Sequence, residues 1–75
     1  MKRFAVAICD IEGNFSENEI LVIKATSFKH AIKNHGKIQF YEELLEFISK
    51  NDDLSLIKKE FIDYGFALAV EEIDR

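Results

Sequence analysis

Two segments near opposite ends of the chain share one alternation, and it constrains the fold more than any other feature. Phe4 to Cys9 sets Phe4, Val6 and Ile8 on one face of a strand and Ala5, Ala7 and Cys9 on the other. Phe66 to Ile73 repeats the scheme, with Phe66, Leu68 and Val70 against Ala67 and Ala69. Only the bulky set can interdigitate with helices, so it must face them. The second face is then flat and lined by small apolar side chains. The free face of an antiparallel sheet is ordinarily polar. Ala5, Ala7, Cys9, Ala67 and Ala69 therefore read as a covered surface, under a helix of the same chain or under another molecule, and a homodimer or partner contact is the expected cover.

Between these segments the pattern changes from period two to helical spacing. The polar stretch from Asp10 to Asn18, with its Gly13-Asn14 pair, reads as a hairpin loop, and Glu19 to Ala25 as the returning strand. Thr26 and Ser27 offer an N-cap to a two-turn helix carrying Phe28, Ala31 and Ile32 on one face. Asn34-His35-Gly36 ends it, with Gly36 suited to the left-handed conformation that follows many helices. From about Ile38 to Lys50 a second helix places Tyr41, Leu44, Leu45 and Ile48 on one stripe, with Phe40 and Phe47 at its edges. Glu46 and Lys50 on the opposite side have the favourable i,i+4 order. Asp53 caps a third helix whose inner face is Leu54, Ile57, Phe61 and Tyr64, and Gly65 stops it. The order is β-β-α-α-α-β. It predicts a single α+β domain over residues 1–75: a three-stranded antiparallel sheet, order 2-1-3, with helices packed on one face.

Size and charge narrow the function classes. With 75 residues there is room for one core. The single cysteine excludes a disulfide framework and fits a reducing, cytoplasmic compartment. Asp10 and Glu12 cut the opening apolar run too early for a secretory signal, and no run approaches the ~20 apolar residues of a membrane span. The net charge of −4 is uneven. Residues 1–35 hold five basic and four acidic side chains, whereas residues 36–75 hold five basic and ten acidic ones. Such a balance disfavours direct nucleic-acid binding, which needs clustered Lys and Arg. It suits a partner with a basic surface. Glu42, Glu43, Glu46, Asp52, Asp53, Glu60 and Asp63, helped by Tyr41 and Tyr64, are the expected contact residues. The same acids also serve as a solvated helix face that keeps a protein soluble.

The constellations that carry chemistry fail one by one. His30 and His35 are five apart, whereas two ligands on one helical face sit at i and i+4, so no metal site is expected and both read as exposed helix-end histidines. Counting Asp10 as position one of a calcium loop puts Phe15 where the glycine belongs and Leu21 where the bidentate glutamate belongs. Phe15 itself folds back onto the core or anchors a partner. Cys9 has no neighbouring base, and there is no glycine-rich phosphate loop. No cofactor and no enzymatic activity are expected. Lys29, Lys33, His35 and Lys37 form a modest basic patch that reads as a solvated face and also suits an acidic protein or an anionic small molecule such as phosphate.

The segments Phe4-Ala5-Val6-Ala7, Ile23 to Ile32 with its Ala25-Thr26-Ser27 cap, and Phe66 to Ile73 resemble small accessory proteins of bacteriophages. Some phage proteins of this size and layout inhibit host defence, anti-CRISPR proteins among them. The resemblance implies a protein-binding inhibitor, located in the host cytoplasm, and carries no functional residue across. Three readings follow: an inhibitor that occupies a basic or nucleic-acid-binding surface, a small anionic-ligand binder or sponge at a dimer interface, and a structural module that assembles with itself.

Overall fold

The computed structural model describes residues 1–11 and 19–73. The strand at Lys2–Asp10, β1, lies at the centre of the sheet. It pairs antiparallel with β2 (Glu19–Ala25) on one side and with β3 (Phe66–Glu72) on the other, giving the order β2-β1-β3. Between β2 and β3 run α1 (Phe28–Lys33), a 3-10 turn at Gly36–Ile38, α2 (Glu42–Lys50) and α3 (Leu54–Asp63). Class, element order and strand order are those the alternation predicts.

The side-chain division on the strands decides the layering. Phe4, Val6 and Ile8 of β1 and Phe66 and Leu68 of β3 are buried. They share one core with Ile32 of α1, Leu44 and Ile48 of α2, and Ile57 and Phe61 of α3. Each helix thus spends its apolar stripe on the same sheet face. On the outer face Ala5, Ala7 and Cys9 are half-buried, and Ala67 and Ala69 are exposed. Among the described residues no helix covers them.

Local chemistry sets the helix starts. The Ser27 side chain accepts from His30 N, and the Asp53 side chain accepts from Ser55 N at 2.9 Å, so both predicted caps are in place. The Glu46–Lys50 pair closes at 3.3 Å. Gly65, with φ 87°, is the left-handed residue that ends α3.

Three expectations around residues 34–41 are corrected. Gly36 does not take the left-handed conformation: Asn34 closes α1, donating its N–H to His30 O and Ala31 O, and Gly36 opens the 3-10 turn instead. The second helix starts at Glu42 rather than near Ile38, because Tyr41 (φ −103°, ψ 78°) breaks the helical path. His35 is fully buried, not exposed. Its Nδ1 accepts from Lys37 N at 3.1 Å and caps the 3-10 turn, which draws the ring inward. Residues 12–18, which include most of the loop read as a hairpin and as a failed calcium loop, lie outside the described residues, as does Phe15.

Candidate functional site

The break before α2 builds the most distinctive surface of the molecule. Because the chain turns at Ile38–Tyr41 instead of continuing as helix, Phe40 points away from the core and is 92% exposed. Its neighbour Tyr41 turns the other way. The Tyr41 ring stands edge-on to Phe66, with centroids 5.2 Å apart, and edge-on to Tyr64 at 6.2 Å. Tyr64, the residue after α3, donates its hydroxyl to the Glu43 carboxylate in the first turn of α2. These contacts tie the start of α2 to the end of α3. Phe40, Tyr41, Glu42, Glu43 and Tyr64 together line a shallow depression of about 330 Å³.

The electrostatics of this end are negative. Glu42 and Glu43 sit in the first turn of α2, where acidic side chains complement the helix dipole. The hydrogen bond to Glu43, then the loss of surrounding water and the negative charges of Glu43 and Glu60, push the Tyr64 phenol up to about 12. Glu60 on α3 therefore belongs to the same electrostatic neighbourhood, and Asp63 is exposed beside Tyr64 in the chain. An apolar anchor, two phenol rings and clustered carboxylates can receive a lysine or arginine side chain by ion pairing and by stacking on the ring faces.

The other acids expected at the contact are spent elsewhere. Glu46 pairs with Lys50, Asp53 caps α3, and Asp52 accepts from Lys29 Nζ at 2.7 Å. That hydrogen bond and the lysine charge hold the Asp52 carboxyl below its ordinary range. The structure thus joins Tyr41, Tyr64, Glu42 and Glu43 into one site, with Glu60 and Asp63 at its margin, and leaves Glu46, Asp52 and Asp53 in local structural roles. Phe40 was missed by sequence reasoning. In a helix drawn from about Ile38 it falls at the edge of the apolar stripe, and only the later start of that helix, at Glu42, exposes it.

The basic patch is divided. Lys29 and Lys33 both reach across to α2, Lys29 to Asp52 and Ser49 O, and Lys33 to Ser49 Oγ at 2.8 Å. They line a depression of about 300 Å³ with Ser27, His30 and Ser49. His35 is withdrawn into the core, and Lys37 lies 3.9 Å from Asp10 on another side. Among the described residues no group of histidine, cysteine and carboxylate side chains is arranged to hold a metal ion, and no helix is long and apolar enough to cross a membrane.

The third surface is the outer sheet face. The register aligns Ile20, Ala7 and Ala69 in one row across the strands, and Val22, Ala5 and Glu71 in the next. Ile20 and Val22 are 69% and 61% exposed. The free thiol of Cys9 sits on this face opposite Ala67. Comparison with known proteins finds no matching family model, no matching curated protein and no matching solved structure.

Proposed function

We propose that this chain is a non-catalytic protein-binding module whose aromatic and acidic end engages a basic partner surface. The observation that carries the reading is Phe40, 92% exposed beside Tyr41, Tyr64, Glu42 and Glu43. An isolated exposed leucine would need no explanation, but an exposed phenylalanine among the residues lining an acidic, ring-lined depression has the composition of an interface anchor. Surfaces that bind nucleic acid are themselves basic. A module of this kind acts as an inhibitor by occupying such a surface, and the resemblance to phage accessory proteins makes a host defence or nucleic-acid-handling protein the proposed target.

The test is a titration of isotope-labelled protein with an arginine- and lysine-rich peptide, followed by NMR. Shift changes should centre on Phe40, Tyr41, Glu43 and Tyr64 and weaken as salt is added. Phe40→Ala should weaken binding by about tenfold, in the range of an interface anchor. Charge reversal at Glu42 and Glu43 should slow association in a salt-dependent way. Shifts spread evenly over all acidic residues, or unchanged binding by the reversed variant, would sink the reading.

A further inference from the structure

We propose that the uncovered sheet face is a two-fold interface between two copies of this chain, with the axis running along β1. The face has a relief. Ile20 and Val22 raise a ridge along β2, while Ala5, Ala7 and Ala69 form the floor of a trough of about 480 Å³ that Ile20 bounds on one side and Val70, Glu71 and Lys58 on the β3 side. A two-fold axis along β1 lays β2 of each copy over β3 of the other. In the Ile20 row the ridge of one copy then enters the trough of its partner over Ala69, and in the next row Val22 lies over the Glu71 stem at the rim. An axis across the strands would instead set ridge on ridge and trough on trough, leaving a void that close packing does not tolerate.

Charge follows the same operation. Lys24 shares a row with Arg3, whose carbonyl accepts from Ile73 N at 2.9 Å. The axis therefore carries Lys24 of one copy to the Ile73 end of its partner, one pleat from Glu71. The same operation brings both Arg3 side chains, exposed near the start of β1, to one end of the interface. The contact is isologous: each ridge, trough and ion pair occurs twice.

The size of the face matches a modest dimer. Three strands about 4.8 Å apart and some seven residues long at about 3.3 Å each present roughly 330 Å² in projection. With side-chain relief on both copies the buried total reaches roughly 1,000 Å², the lower bound for a specific interface. Association should accordingly be reversible and concentration-dependent. The aromatic and acidic end gathers around the helices on the other side of the sheet, so both copies keep it free.

Sedimentation velocity on the full chain across a wide concentration range tests the proposal. The mass should rise from monomer to dimer and stop there. Ala69→Arg, which fills the trough, and Lys24→Glu should each weaken the dimer by about tenfold or more. The double variant Lys24→Glu/Glu71→Lys, confined to exposed positions, should restore most of the affinity lost in Lys24→Glu. A monomer at every concentration would overturn the proposal, as would an assembly that grows beyond two copies. A dimer indifferent to Ala69→Arg would mean pairing through the open edge of β2 and would overturn it equally. If Ala69→Arg does not fold, the charge swap decides alone.

Discussion

Tyr64 shows how one hydrogen bond shapes a site. Its hydroxyl donates to Glu43, and the phenol is raised from 10.0 to about 12. The folded state holds that proton more tightly than the unfolded chain. The associated stability is complete below pH 10 and disappears as pH rises from 10 toward 12. An absorbance titration of the phenolate band should show a step near 12 that Tyr64→Phe removes and Glu43→Gln moves downward. His35 makes the complementary point. Asn34-His35-Gly36 read as an exposed helix end, because sequence shows that a helix stops but not which way the next residue points. The ring instead turned inward to cap its own 3-10 turn. His35→Leu keeps the volume but strands the Lys37 N–H, which should cost about 1–3 kcal/mol in urea denaturation.

Element boundaries were legible where capping chemistry is local. Ser27 and Asp53 could be named as caps because a hydroxyl or carboxylate reaches only the next turn. The two glycines were less legible, since either suits a positive φ and only tertiary packing assigns it. Gly65 holds φ 87°, whereas Gly36 does not and has open space where a side chain would stand. Gly65→Ala should therefore destabilise by about 1–2 kcal/mol through left-handed strain. Gly36→Ala should be neutral or stabilise by about 0.4–1 kcal/mol through the unfolded chain. Thermal unfolding of the two variants side by side checks both signs. The start of α2 was misjudged for a related reason: the apolar stripe continues through Phe40, but Tyr41 is drawn onto Phe66 and Tyr64 and breaks the helix.

At the scale of the molecule, the layering was readable because β1 and β3 each carry their own instruction: bulky side inward, small side outward. The grouping of acids was not. Which carboxylates meet depends on where helix ends converge in space, and five of the seven acids expected at one surface lie in helices whose relative placement no spacing rule supplies. The core leaves little reserve. A domain of this size retains about 3–5 kcal/mol net, and truncating a fully buried phenylalanine such as Phe61 costs about 3–5 kcal/mol. Phe61→Ala should be largely unfolded by far-UV circular dichroism at low concentration.

Among the described residues the central strand precedes every other element, and one of its two partners follows them all: Phe4 aligns with Glu72 and Asp10 with Phe66. The three described helices lie between these two strands. The sheet cannot close until residues 66–72 are available, so during synthesis the hairpin and three helices wait as an incomplete core. Pairings this distant in sequence are slow to form, because chain entropy is lost before any contact repays it. Folding should be all-or-none and late, with the interval before closure as the time of greatest exposure to proteases and chaperones.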